Sequence, residues 1–324
     1  MRSSMFKNNR HNQHYIAQVE QKLNSIDPTR NKKKRRIFEY ELLDREQLKY
    51  KLTDPKGVKV ESNLSANDLY SFELFSDKTT SNFEIFFGRY ENNIEKFTSE
   101  LISKLQNREN IDKELLHNLV FTKLLNFIRN PFSIEKVINT FGMCADHKPV
   151  DPILLAEYEK LEINNPLIDD NLLIQLNVTR EQFVTWLKTI FVLIVMEING
   201  KTIGERIVES ILDEKSHTVL MRLYSYDSEI CLLSDRGFTD FSAAFIENEM
   251  FSISFNLTKN AFLIVNIGEI TKVTTAFGQS IVVPIWSLDH KKNDIEMLCS
   301  YNRNVIYQCF NNFYSSDQNF KIYT

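Results

Sequence analysis

From Phe251 to Leu257 the chain alternates strictly: Phe251, Ile253, Phe255 and Leu257 are apolar, and Ser252, Ser254 and Asn256 between them are polar. A period of two predicts a strand with one face in the core and one toward water. Thr258-Lys259-Asn260 supplies turn formers, so a second strand is expected over Ala261–Ile267. Val219–Tyr224 and Ile230–Leu233 are short apolar runs of strand length, and Ile281–Ile285 is another, with Pro284 marking a sheet edge. Near the start, Ile37–Leu42 alternates with Phe38, Tyr40 and Leu42 on one side. Phe83–Phe87, closed by Gly88, reads as one more short strand.

Between these regions the period changes to that of a helix. Ile94, Phe97, Leu101 and Leu105 recur on one helical face, and Leu115 to Ile128 carries a broad apolar stripe. That helix is expected to stop near Asn130, because Pro131 disfavours helix in the residue before it. Asp151-Pro152 has the signature of an N-cap followed by the first helical residue. Thr179 and Gln182 have capping-box spacing and open a helix carrying Phe183, Trp186, Leu187, Ile190 and Phe191. The apolar stretch Phe183–Ile198 is shorter than a membrane span and is broken by Lys188, so it reads as a buried core helix without membrane insertion. A short helix over Glu205–Leu212 and a closing helix over 292–313 complete the pattern; Asn302 lies within the apolar stripe of the latter. The layout is α+β: an N-terminal strand region, a helical middle over 90–213, and a β-rich part over 216–290 whose mostly antiparallel sheet is closed by the terminal helix. One domain over 1–324 is expected, with a basic N-terminal segment over 1–36.

Composition narrows the function classes. Of 324 residues 43% are apolar and 25% charged, which is ordinary globular usage. Only 8 glycines are present, and neither a Walker-type loop nor GxGxxG is found. The net charge of −4 provides no global attraction to nucleic acid or to an anionic membrane. The four cysteines, Cys144, Cys231, Cys299 and Cys309, form no CxxC pair, and Met1–Ile26 lacks the apolar core of a signal peptide. Reduced thiols and a cytoplasmic location are expected. No Cys/His set has zinc-ligand spacing, so no structural zinc is expected.

A few polar residues stand out against this background. Ser234 and Asp235 follow directly on the apolar run Cys231–Leu233, placing a hydroxyl and a carboxylate where a buried strand meets a turn. An aspartate there suits a divalent metal such as Mg or Mn, or acid–base chemistry; it equally suits capping of the turn through backbone hydrogen bonds. His14, with Gln13 and Gln18 nearby, is a candidate proton shuttle or a structural histidine. Arg129 ends an apolar helix and is a candidate anion clamp, or half of a buried ion pair with an acid such as Asp235. Asn302 needs hydrogen-bond partners if buried. The run Lys32-Lys33-Lys34-Arg35-Arg36, with Arg30 before it, suits a phosphate backbone or a solvated loop.

Several of these segments together resemble a bacterial family, domain-of-unknown-function family four-two-three-eight. They are Gln13-His14-Tyr15-Ile16-Ala17-Gln18, the strand Arg36–Tyr40, Phe127-Ile128-Arg129-Asn130-Pro131, Leu232–Gly237, Phe255–Ile264, and Tyr301-Asn302 through Ser315. Their order fits nearly the whole chain. Ala17 replaces a family proline, and Arg236-Gly237 replaces Asn-Pro. The resemblance implies a shared fold and an accessory, defence-related role in bacteria. Two functional expectations follow. In one, the protein acts on nucleic acid as a phosphodiesterase: the basic loop holds phosphates, His14 is acid or base, Arg129 binds phosphate, and Asp235 holds a metal or orients His14. In the other, it is a non-enzymatic module that binds a protein partner, and the same polar residues form a structural network.

Overall fold

The computed structural model describes residues 6–241, 250–269, 271–274, 280–283 and 285–324. They form two compact units, each assembled from three separated stretches. The first comprises Met1–Ala17, Ser62–Asn93 and Leu124–Arg206; the second comprises Gln18–Glu61, Ile94–Lys123 and Ile207–Thr324. The N-terminal segment over 1–36 and the helical stretch over 90–213 are therefore each shared between the two.

The first unit is built around the helix Arg180–Val195, in which Trp186, Leu187, Ile190, Phe191 and Ile194 are almost completely buried. The capping box predicted at its start is present: Thr179 accepts from the Gln182 backbone N–H, and the Gln182 side chain returns a bond to the Thr179 N–H. The Asp151 carboxylate caps Pro152–Glu159 as its sequence indicates, at 2.9 and 3.1 Å from two backbone nitrogens. Trp186 donates its indole N–H to the Ile128 carbonyl at 2.7 Å, anchoring the end of the helix Lys113–Ile128. No helix among the described residues is long and apolar enough to cross a membrane.

Phe83–Phe87 is not a strand. A helix runs over Glu84–Glu91. Phe83, Phe86 and Phe87 are spaced i, i+3, i+4, which is one helical face, and all three are buried while Ile85 between them is exposed. Phe6 joins this face, with ring centroids 4.8 Å from Phe86 and 5.7 Å from Phe191. An apolar run this short fits either period, and only the position of its partners settles which one forms.

The second unit contains two five-stranded sheets. In one the order is Thr239–Asp240, Phe251–Thr258, Ala261–Gly268, Thr218–Ser225, Trp286–Lys292; only the last pair is parallel. In the other, Leu233–Ser234, Asn312–Ser315, Arg36–Asp44 and Lys49–Leu52 pair antiparallel, and Val58–Lys59 adds to the start of Arg36–Asp44. The mixed helices and sheets make the chain α+β.

Four expectations shift here. Within Phe251–Thr258, residues Ser252–Leu257 are buried on both faces while Phe251 is exposed: Ser254 and Asn256 are as enclosed as Phe255 and Leu257, because each finds a partner (Ser254 bonds Thr239). Of Ile230–Leu233 only Leu233 enters a ladder, since polar groups of Ile230 and Leu232 bond Asn302 instead. The closing helix is shorter than expected, Ile295–Gln308, started by the Asp294 side chain on the Met297 N–H at 3.0 Å; the residues after it become the strand Asn312–Ser315. The strand Trp286–Lys292 was not legible, because its second half is Asp289-His290-Lys291-Lys292. Ser280–Val283 does pair as a strand with Thr271–Thr274, whereas Pro284 lies outside the described residues.

Candidate functional site

Of the residues singled out by sequence, His14 and Arg129 lie in the first unit. Ser234, Asp235, Asn302, Gln18 and the basic run lie in the second.

Arg129 follows the last turn of the helix Lys113–Ile128 and is 1% exposed. Its Nε donates to the Tyr15 carbonyl at 3.2 Å, one terminal nitrogen pairs with Glu91, and the other reaches Asn126 Oδ1 at 3.3 Å. The guanidinium also sits 5.0 Å from the centre of the Phe87 ring. Its own carbonyl accepts the Tyr70 hydroxyl at 2.6 Å. The acid facing it is thus Glu91 rather than Asp235, and no exposed fork remains to clamp an incoming phosphate.

His14 feels the same charges. Its Nδ1 is 3.1 Å from the Asn63 carbonyl, and the ring is buried. Burial lowers its pKa to about 4, Arg129 pushes the same way, and Glu91 opposes. The imidazole is neutral at pH 7. Glu84, from the first turn of Glu84–Glu91, completes the group. Burial raises its pKa to about 7, Glu91 adds to the rise, and Arg129 and Arg10 oppose it, Arg10 at 3.7 Å. Neither Glu84 nor Glu91 stood out in the sequence; a carboxylate inside the Phe-rich segment was the available sign.

Asp235 is 2% exposed. Its Oδ1 accepts from the Phe310 backbone N–H at 2.7 Å, and Oδ2 accepts from Asn311 and Asn312 at 2.7 and 2.8 Å. One carboxylate therefore holds the segment that links the closing helix to its following strand. Burial pushes its pKa up against the pull of these three donors. The Ser234 hydroxyl accepts from the Arg236 N–H at 3.1 Å, a local turn cap. Mg and Mn need several oxygen ligands with free lone pairs. Here both oxygens already face N–H donors, and among the described residues no group of three His, Cys, Asp or Glu side chains is placed to hold an ion. Asp235 does not fit the metal role.

Asn302, fully buried, ties two chain segments to its helix. Its Oδ1 accepts from the Leu232 N–H at 3.0 Å, and its Nδ2 donates to Ile230 and Lys321 carbonyls at 2.9 and 2.8 Å. Tyr301 donates to the Leu232 carbonyl at 3.0 Å and Asn256 to the same oxygen at 3.1 Å. Gln18 reaches the Glu61 carbonyl at 3.4 Å. These are backbone-holding roles.

The basic run is different. Lys32–Lys34 form a short 3₁₀ turn capped by Asn31, and all three lysines are exposed. No ion pair among the described residues involves them. Arg35 donates to the Arg30 carbonyl at 2.9 Å, and Arg36 bonds the Gly57 carbonyl. Arg36 stands opposite Lys59 in the sheet register, and Lys56 and Lys59 are exposed, which adds two cations the sequence did not associate with the run.

No protein-family model matches the chain, and neither a curated protein nor a solved structure matches it.

Proposed function

We propose that this protein is a non-enzymatic interaction protein whose polar motif residues hold its own backbone in place, and that its contact with a partner is a nucleic-acid backbone met by the cationic turn Lys32–Lys34. The observation that supports this reading is the contrast in how polar groups are used. Arg129, Ser234, Asp235 and Asn302 direct their polar atoms into the protein. Lys32, Lys33 and Lys34 direct theirs into solvent, on a turn anchored at both ends. Unpaired exposed ammonium groups are what counterion release from a phosphate chain requires. An accessory, defence-related setting in bacteria, and membership of family four-two-three-eight, belong to the same proposal and rest on the ordered motif resemblance.

The test is binding of labelled single- and double-stranded oligonucleotides between about 50 and 200 mM salt. Wild-type protein is expected to bind with a salt-dependent Kd, and the triple variant Lys32→Ala/Lys33→Ala/Lys34→Ala to lose about 3 from the salt slope. No strand cleavage is expected with Mg or Mn present. Equal binding by the triple variant removes the cationic contact, and cleavage that disappears in His14→Gln restores an enzymatic role.

A further inference from the structure

His11 lies just before the strand Asn12–His14 in the first unit, and neither its sequence nor the reading above gives it a role. Its two ring nitrogens each face an acceptor. Nδ1 is 2.9 and 3.2 Å from the two Asp68 carboxylate oxygens, and Nε2 is 3.0 Å from the Lys78 carbonyl. A neutral imidazole has one N–H and one lone pair, so it satisfies one of these contacts and sets a lone pair against an oxygen in the other. Only the imidazolium donates to both.

The two acceptors come from strained turns. Asp68 has φ 51° and Lys78 has φ 64°, left-handed conformations that residues with a side chain rarely hold without support. The first is fixed from its own side as well: the Asp68 N–H donates to the His11 carbonyl at 2.7 Å, and the Ser71 hydroxyl donates to its carboxylate at 2.9 Å. The Lys78 turn joins the strands Glu73–Leu74 and Thr80–Ser81; within it the Phe75 N–H donates to the Thr79 carbonyl and the Lys78 N–H to the Phe75 carbonyl, both at 2.9 Å.

We propose that His11 is a proton-dependent clasp: its imidazolium ties the turn at Lys78 to the turn at Asp68, and loss of one proton releases the Lys78 side. The charged groups around it leave Asp68 as its ionic partner. Asp77, on the same turn as Lys78, is 3.0 Å from Lys7; Arg10, beside His11 in the chain, pairs with Glu84. The Asp68 hydrogen bond raises the His11 pKa above its ordinary value against the opposing effect of burial, and the Asp68 charge and the Lys78 carbonyl add to the rise. The sign follows. A folded state that holds the proton more tightly than the unfolded chain keeps the clasp's contribution below the ordinary range of about 6.5, and loses it as pH rises through the raised value.

Histidine ring NMR on the full chain, with the His11 signals assigned by their loss in His11→Gln, reads the protonation directly. The midpoint is expected above 6.5, and in Asp68→Asn, which keeps an acceptor and tolerates the left-handed backbone, it is expected to fall by about 0.5 to 1 pH unit. Amide exchange at Phe75 and Lys78, corrected for intrinsic exchange, is expected to accelerate several-fold across the same midpoint, and to show no such step in His11→Gln. A wild-type midpoint at or below 6.5, an unchanged midpoint in Asp68→Asn, or the same pH step in His11→Gln overturns the clasp.

Discussion

Lys123 Nζ lies 2.9 Å from Glu20 Oε2 in the second unit, with both side chains withdrawn from solvent. Desolvating two charges is repaid only while each has the other, so removing one leaves an uncompensated ion in the interior. Lys123→Met is expected to destabilise the fold by about 3–5 kcal/mol, and the double variant Lys123→Met/Glu20→Leu to recover most of that. Urea unfolding of the two singles and the double reads the coupling. Singles and double that lose stability additively would show the pair is no more than two independent packing positions.

Asp235 is expected to behave as a structural anchor. Asp235→Ala leaves the N–H groups of Phe310, Asn311 and Asn312 without their shared acceptor. A buried polar group left unsatisfied costs about 1–3 kcal/mol, and here the donors are partly water-accessible, so a total of roughly 3 kcal/mol is expected. Thermal unfolding measures it, and hydrogen exchange at residues 310–312 locates it. An unchanged melting temperature would reopen an active-site role for this carboxylate.

His14 and Glu84 pull the pH dependence of stability in opposite directions. His14 drops to about 4 on folding, so stability is lost as pH falls from about 6.5 toward 4, where the unfolded chain takes up the proton first. Glu84 rises to about 7, so the folded chain holds a proton that the unfolded one has released, and stability is lost as pH rises from about 4.5 to 7. Each corresponds to about 3 kcal/mol at full effect. Wild-type stability is therefore expected to be nearly flat between pH 4.5 and 6.5. Glu84→Gln is expected to expose the acid sensitivity of His14, seen as a steep fall in the urea midpoint below pH 6.5. A Glu84→Gln profile as flat as wild type would contradict the opposition.

Gly57 sits against Ile37 at φ 74°, and a Cβ there would lie 2.7 Å from the Ile37 carbonyl oxygen. Gly57→Ala is expected to cost more than about 1 kcal/mol, since both backbone strain and a backbone clash oppose it. The Gly57 carbonyl also accepts from Arg36. Weakened oligonucleotide binding by Gly57→Ala, beyond what its lower stability explains, would connect this turn, through Arg36, to the basic run. Binding equal to wild type would separate them.

Local signals carried far in this chain. The caps at Asp151 and Thr179, the helix stop before Pro131 and the hairpin through Lys259 all depend on residues within a few positions of one another, so the chain's own order suffices to state them. Phe83–Phe87 lacked that sufficiency: five residues fit a strand or a helix equally well until Phe6 and Phe191 are placed. Lys123 did not stand out in the sequence, and nothing near it in the chain indicated Glu20.

The partners of the polar residues were beyond reach for the same reason. Arg129 finds Glu91 across 38 positions, and Asp235 finds the backbone of 310–312 across 75 to 77. The amino-acid sequence by itself determined the capped helix starts at Asp151 and Thr179, the helix stop before Pro131 and the hairpin through Lys259, along with which side chains are apolar enough to be buried and which polar residues break that pattern. Tertiary structure alone decided which donor meets which acceptor. A hydrogen bond acts over about 3 Å, and a sequence without its fold contains no distances between residues far apart in the chain.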